Sequence, residues 1–129
     1  MATIFTKIIQ GEIPCYKVAE NENNFAFLDI NPLTEGHTLV VPKREVDNLF
    51  DLPEEEYKEL LDFARTIAKK MQDNLDCVRV GVTVLGFEIP HAHIHLVPMN
   101  KESDMLFSNP KLKLTQEEFN TILNKIKLY

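Results

Sequence analysis

The segment His-Ala-His-Ile-His-Leu-Val occupies residues 91–97 and places three histidines at alternate positions. Successive side chains of a β-strand point to opposite faces of a sheet. A strand over residues 92–98 therefore places the imidazole rings on one face and the apolar side chains of Ala92, Ile94 and Leu96 on the other. The chain contains four histidines in total, so composition alone does not explain why three of them share one short segment.

This row of histidines suits two kinds of chemistry. Imidazole binds transition metals, and neighbouring rings of the row are about 6–7 Å apart. The outer pair, His91 and His95, is about 13 Å apart on the same rise per residue, which fits a tetrahedral metal site poorly. Imidazole is also a nucleophile near neutral pH and can form a covalent intermediate. The residues alone leave open a metal site, a row of reactive groups along an anionic substrate, and a merely polar strand face.

Length and composition predict one globular domain over residues 1–129, because 44% of the residues are apolar and favour a packed core. The amino terminus lacks a signal-peptide pattern and no apolar run is long enough to span a bilayer. We therefore expect a cytoplasmic protein with no membrane partner. The formal net charge of −6 argues against a nucleic-acid partner, which requires a basic surface, but is compatible with one small nucleotide.

The pattern of apolar and turn residues predicts an α+β fold, in which a meander of about five strands packs on one long helix, with short helices near the termini. Residues 53–74 form the clearest helix, because Pro53 suits its first turn and apolar side chains recur every three or four residues. Thr115 and Glu118 form a capping box that begins a carboxy-terminal helix. The strands are expected at residues 15–20, 24–30, 37–42, 78–85 and 92–98, and a short helix at residues 3–9.

Four segments of the chain resemble the histidine triad (HIT) family of nucleotide hydrolases and transferases, in its Hint-like form. Residues 91–97 match the family's alternating histidine signature. Residues 4–14, 25–32 and 36–43 are similar to its amino-terminal segment, its ribose-binding strand and the strand that follows. These segments occur in the family's order. The resemblance implies an antiparallel sheet and a homodimer that joins two sheets side by side.

The resemblance also implies roles for individual residues. His93 matches the nucleophile, which attacks the α-phosphorus and forms a nucleotidyl-histidine that water then hydrolyses. His91 and His95 match the flanking positions, which contact phosphate oxygens or assist the leaving group. His37 matches a fourth histidine near the site, although it could simply be a strand-start residue bonded to the backbone. Asp29 matches the residue that binds ribose hydroxyls, although Asp-Ile-Asn-Pro also favours an Asx turn. The positions that match the base pocket, or could simply be core, are Ile4, Phe5, Ile8, Ile13, Phe27 and Leu39.

The segment before the histidines departs from the family pattern. Many relatives carry an asparagine and a Gly-Gln pair there, whereas this chain has Thr83 and Phe87 at the corresponding positions. Thr83 is therefore the expected substrate contact of this segment. Glu88 would repel a phosphate unless it points away or carries a proton.

A second departure concerns zinc. Some family members bind structural zinc through two amino-terminal cysteines, a histidine after the third strand and the first triad histidine. Here Thr3 and Thr6 stand near the cysteine positions and Glu45 stands at the histidine position. We therefore expect no structural zinc and no cofactor.

The expected function is hydrolysis or transfer at the α-phosphate of a purine nucleotide, such as a nucleoside phosphoramidate or a dinucleoside polyphosphate, with no metal in the nucleophilic step. One alternative is a non-catalytic nucleotide-binding or interaction protein that keeps the fold. A further alternative is a transition-metal-binding protein that uses His91 and His93.

Overall fold

A computed structural model describes residues 2–129 and forms one antiparallel sheet flanked by helices on both faces. The strand order is β1-β2-β3-β5-β4, and every neighbouring pair is antiparallel. The α+β prediction with five antiparallel strands, one long helix and short terminal helices is confirmed. The strands are β1 Lys17–Glu20, β2 Asn24–Leu28, β3 Thr38–Pro42, β4 Arg79–Thr83 and β5 Ile94–Met99. The helices are α1 Ile4–Ile9, α2 Glu54–Asn74 and α3 Gln116–Ile126, with 3₁₀ turns at Leu49–Asp51 and Glu102–Met105.

Helices α2 and α3 cover one face of the sheet. The predicted apolar stripe of α2 is buried at its central positions, and three glutamates occupy its first turn, where they favour the positive end of the helix dipole. The same core contains the apolar side of the histidine segment. Its central members are Leu60, Ala64, Ile67 and Met71 of α2 with Ala92, Ile94 and Leu96. No helix within residues 2–129 is long and apolar enough to cross a membrane.

Helix α1 packs on the opposite face of the sheet. Alternate side chains of β2 separate the two faces, so that Ala26 and Leu28 join the α2 core while Phe25 and Phe27 join a smaller cluster with Phe5 of α1. We call this second group the aromatic cluster; it comprises Phe5, Phe25, Phe27, Leu39 and Val41. The aromatic cluster lies on the same face of the sheet as the histidines, because Phe5 contacts the rings of two of them.

Strand β5 begins at Ile94, two residues later than the sequence predicted, so the first two histidines of the row precede it. Extending the observed register would place Ala92 opposite Pro42. Proline has no N–H to contribute to the ladder, and the Ala92 N–H instead donates to the carbonyl of Val46 at 2.7 Å. The division of side chains between the two faces nevertheless follows the prediction, whereas β1, β2, β3 and β4 are each shorter than predicted.

Candidate active site

His93 presents one unprotonated ring nitrogen. Its Nδ1 lies 2.8 Å from the main-chain oxygen of His91, and a carbonyl oxygen only accepts, so we assign the proton to Nδ1. The bare Nε2 has no partner among residues 2–129, whereas every buried side-chain nitrogen and oxygen in that range has one. Nε2 is therefore accessible, even though His93 as a whole is only 7% exposed. This is the arrangement that a nucleophilic imidazole requires.

His95 presents an N–H beside that bare nitrogen. Nδ1 of His37 accepts from the Leu33 N–H at 3.0 Å, so the proton of His37 lies on Nε2 and points to Nδ1 of His95, also at 3.0 Å. His95 must then carry its own proton on Nε2. The ring centroids of His93 and His95 are 4.9 Å apart. The site thus places a lone pair and a proton donor next to each other.

His91 has partners at both ring nitrogens and is fully buried. Its Nε2 lies 2.7 Å from the carbonyl oxygen of Pro42, so Nε2 carries the proton. Its Nδ1 then accepts from the hydroxyl of Thr3, also at 2.7 Å. A contact between this ring and a phosphate, as the resemblance implies, would require one of these bonds to break. The main-chain carbonyl of His91, in contrast, already orients His93.

Burial lowers the pKa values of His37, His91 and His95 and keeps these three rings neutral at physiological pH, which agrees with the tautomers assigned to them. Desolvation, followed by the charge of His95, lowers the pKa of His37 to about 3. Desolvation, followed by the charge of His93, lowers the pKa of His95 to about 4. Burial also lowers the pKa of His91. A neutral ring has one donor and one acceptor, and each of the assigned bonds uses one of them.

Asp29 divides its two carboxylate oxygens between the backbone and the site. Oδ1 accepts from the Asn31 N–H at 2.8 Å, which is the predicted Asx turn. Oδ2 lies 3.7 Å from Nε2 of His37. Burial raises the pKa of Asp29, and the N–H of Asn31 opposes that shift. Since the turn uses only Oδ1, turn formation leaves Oδ2 free for a ligand hydroxyl.

The residues predicted for the base pocket lie at different depths. Phe5, Phe27 and Leu39 are buried in the aromatic cluster. Ile8 is half-buried against it, Ile13 is half-buried, and Ile4 is 47% exposed outside it. The ring of Phe5 lies 5.0 Å from that of His93 and 5.6 Å from that of His91. Phe5 therefore links the aromatic cluster directly to the histidines.

The segment before the histidines reaches the site at its first residue. Thr83 lies opposite His95 in the ladder, and directly opposed residues share a face of the sheet. Phe87 is 94% exposed, and Glu88 is also exposed. Burial and, more weakly, the charge of Glu88 raise the pKa of Asp29, so this loop lies near the site.

Two residues of the carboxy-terminal loop complete the site and were missed by the sequence analysis. The ring of Phe107 packs edge-to-face on those of His95, at 4.8 Å, and His37, at 6.2 Å. Lys111 donates to the carbonyl of Phe107, and its positive charge adds to burial in lowering the pKa of His37. Neither residue belongs to a recognisable motif, and only their position after β5 could have suggested them.

Asp29, His37 and His95 also form the one group within residues 2–129 whose potential metal-ligand atoms all lie within 4.8 Å of one another. Two of those nitrogens already share a proton across a 3.0 Å hydrogen bond, which a metal ion would have to displace. The metal-binding alternative had instead invoked His91 and His93, and both ring nitrogens of His91 are engaged. The geometry favours nucleophilic and proton-transfer chemistry over metal binding.

Acidification should destabilise the fold through His37 and His95. Their unfolded pKa is near 6.5, whereas their folded values are about 3 and about 4. The unfolded chain binds more protons below pH 6.5, so their contribution is complete above that pH and is lost as the pH falls toward the folded values. Between pH 7 and pH 5 each should lower the free energy of unfolding by about 2 kcal/mol. Urea denaturation at both pH values measures this fall, and a fall of the same size in His37→Asn would contradict the assignment.

Comparison with known proteins links this geometry to a family. The model of the HIT domain matches residues 10–102. An adenosine 5'-monophosphoramidase from Saccharomyces cerevisiae is 38% identical over 106 residues, which cover 81% of this chain and 67% of the relative. A Hit-like protein from Bartonella henselae superposes with a TM-score of 0.81 at 28% identity, covering 97% of this chain and 94% of that one. A zinc-bound histidine triad protein from Mycobacterium smegmatis gives 0.80 at 26% identity, covering 98% and 94%.

Proposed function

The chain belongs to the HIT family, and from this premise we propose that it cleaves purine nucleotides at the α-phosphate through a nucleotidyl-histidine intermediate. The observation that carries the proposal is the bare Nε2 of His93 beside the Nε2–H of His95. The name of the yeast relative, adenosine 5'-monophosphoramidase, makes a nucleoside phosphoramidate the first substrate to consider. Dinucleoside polyphosphates belong to the same proposal, because they offer the same α-phosphorus.

The two histidines divide the chemistry. Nε2 of His93 forms a bond to the α-phosphorus while the bond to the leaving group breaks, and the electron pair departs with the leaving atom. The leaving atom takes a proton from a water molecule whose oxygen accepts from the Nε2–H of His95, while His93, now substituted at both nitrogens, becomes cationic next to it. The hydroxide left by that water then attacks phosphorus and releases the nucleoside monophosphate from His93, which regains its bare Nε2. The sum is the addition of one water across the cleaved bond.

The proposal is tested by incubating the protein with adenosine 5'-phosphoramidate and following AMP by chromatography, with and without a chelator. We expect AMP release that the chelator leaves unchanged, because no step uses a metal. Binding of AMP without turnover would support the alternative of a non-catalytic nucleotide-binding protein. Turnover that the chelator abolishes would support a metal site instead. The matched control is His93→Ala, which separates the proposed reaction from contaminating hydrolases.

Asp29 is proposed to bind the ribose through Oδ2. Asp29→Asn keeps an oxygen for the Asn31 N–H but loses the charge that strengthens hydrogen bonds from hydroxyls. We expect AMP to lose about 1–2 kcal/mol of binding free energy and 2′-deoxy-AMP to lose less, as measured by calorimetry. Equal losses for the two ligands would assign Asp29 to the turn alone.

We also propose that two copies pair through the edge of β4. This strand lies at the end of the sheet, where unpaired backbone groups favour association. The side chain of Val82 is 61% exposed and lies on the face of the sheet that α2 covers. Leu61 of α2 is 39% exposed. Ile67, which was also considered for this interface, is fully buried within the chain and does not contribute. Light scattering after size exclusion should give twice 14.9 kDa; a monomer would refute the pairing.

A further inference from the structure

The positions at which some family members bind zinc contain a hydrogen-bonded network here. Glu45 accepts from the hydroxyl of Thr6 and, at 3.0 Å, from the main-chain N–H of Thr3. The hydroxyl of Thr3 lies 2.7 Å from Nδ1 of His91. We call these four residues the threonine network. They come from α1, from the loop after β3 and from the segment before β5, so the network joins three separate parts of the chain.

The threonine network does not fit zinc. Structural zinc sites use four ligands drawn from cysteine, histidine and carboxylate, and these four residues supply one imidazole and one carboxylate. A metal ion would need the lone pair on Nδ1 of His91, and that lone pair already accepts from the hydroxyl of Thr3. The remaining donors are hydroxyl groups, and each has a partner within the network. The same positions therefore perform a structural task with protons in place of a metal.

The hydrogen bonds of the threonine network have one consistent assignment of donors and acceptors. Nε2–H of His91 donates to the carbonyl of Pro42, which leaves Nδ1 as an acceptor. The hydroxyl of Thr3 must then donate to Nδ1, and its lone pairs accept from the N–H of Thr6 at 3.1 Å. The hydroxyl of Thr6 donates to Glu45. Removing the hydroxyl of Thr3 would leave a fully buried ring nitrogen without a donor, which is costly.

We propose that Thr3 is a positioning residue for the nucleophile, acting through His91 on His93; this rests on the function proposed above. The His91 ring is held at both ends, by Thr3 and by the carbonyl of Pro42. This anchorage fixes residue 91, and the carbonyl of residue 91 accepts the Nδ1–H of His93. If that carbonyl moves, His93 loses the bond that keeps its proton on Nδ1 and its lone pair on Nε2.

The first test compares Thr3→Val with Thr3→Ser in the phosphoramidase assay. Valine matches threonine in shape but has no hydroxyl, whereas serine keeps it. We expect Thr3→Val to lower kcat by about 10- to 100-fold, the cost of a misplaced reacting group, with KM for the nucleotide changed less than about 3-fold because the pocket remains. Thr3→Ser should stay within about 3-fold of wild type in both. A loss confined to KM, or no rescue by serine, would overturn the proposal.

A matched control separates this role from helix capping, because Thr3 also caps α1. Thr115 caps α3 with the same geometry, accepting from the N–H of Glu118 at 3.1 Å, and is not near the histidines in sequence or in its contacts. Thr115→Val should lower the stability to the same order as Thr3→Val does and leave kcat unchanged. An equal fall of kcat in Thr115→Val and Thr3→Val would attribute the effect to stability alone.

The tautomers of the histidines provide a readout that does not depend on turnover. Two-dimensional ¹⁵N NMR of the imidazole rings should show wild-type His91 protonated at Nε2 and His93 at Nδ1. In Thr3→Val the His93 signals should shift toward a mixture with the Nε2–H form, while Thr3→Ser keeps the wild-type pattern. Unchanged His93 signals in Thr3→Val would overturn the proposal. If the wild-type protein released no AMP, the function proposed above would fail, and this spectrum would still decide the role of Thr3.

Thr6→Val keeps the question answerable if Thr3→Val does not fold. The side chain of Thr6 does not cap a helix. Its main-chain N–H, which donates to the hydroxyl of Thr3, is unaffected by the change. The variant loses only the hydroxyl that donates to Glu45. We expect a smaller fall of kcat, about 3- to 10-fold, with the same direction of change in the His93 signals. Wild-type kcat and wild-type signals in this variant would refute a network that reaches from Glu45 to His93.

Discussion

Replacement of His93 by alanine should lower kcat by at least about 1,000-fold, equivalent to roughly 4 kcal/mol in the barrier, while the affinity for AMP stays within a few-fold of wild type. In the proposed reaction the imidazole supplies the bond to phosphorus, so its loss should remove the pathway rather than slow it. In the proposed complex, ground-state binding depends mainly on Asp29 and the aromatic cluster, which the substitution leaves in place. Initial rates with adenosine 5'-phosphoramidate and calorimetry with AMP measure the two quantities.

The matched variant is His93→Gly assayed with added imidazole. The glycine leaves space next to the Phe5 ring, which packs on His93 at 5.0 Å, and free imidazole can then supply the missing nucleophile. Partial rescue is expected from a nucleophilic role and not from a role in structure. If His93→Ala retained more than about a tenth of wild-type kcat, which is under about 1.4 kcal/mol, a covalent pathway through this residue would be untenable.

The second large effect concerns His95 and depends on the leaving group. His95→Ala should slow phosphoramidate hydrolysis by about 100-fold or more, because the departing amine needs a proton and such catalysis contributes about 10²–10⁴-fold. Hydrolysis of an AMP ester of p-nitrophenol, whose leaving group is stable as an anion, should slow by less than about 10-fold. The measurement is the ratio of kcat/KM for the two substrates in wild type and variant.

His95→Gln is the control for this prediction. A glutamine amide can place an N–H near the position of Nε2, where it can still donate to the water that protonates the leaving group, and it preserves packing against Phe107 better than alanine. It should restore stability and recover part of the phosphoramidate rate that His95→Ala loses. An equal slowing of both substrates in the two variants would assign His95 to substrate binding.

The fold was predictable because its signals are local and repeated. The stripe of α2 predicted its buried residues, and the capping box of α3 has both of its hydrogen bonds, between Thr115 and Glu118. The separation of the three histidines from Ala92, Ile94 and Leu96 follows from alternation alone. The predicted start of β5 was wrong because the true start depends on Pro42 of a neighbouring strand, and the histidine segment carries no sign of that proline.

The candidate site was predictable only where it coincides with a motif. The structure brings Asp29, His37 and His95 together and places the ring of His93 next to that of His95, while their roles in binding and catalysis stay predictions. Phe107 and Lys111 were missed because a loop without periodicity decides where they lie. The tautomers could not be predicted, since they are set by hydrogen bonds from Leu33 and Thr3 and to Pro42 that no motif encodes.

Helix α1 has only six residues, too few to be stable as an isolated helix. Its stability derives from the aromatic cluster and from the threonine network, and in our proposal those same contacts orient His93. Partial opening of α1 costs less than global unfolding, as is general for short peripheral elements, and would release His91 from Thr3 while the α2 core stays folded. In mild denaturant the protein should therefore lose its catalytic capacity before it loses its global fold, and hydrogen exchange at the α1 amides should report that earlier step.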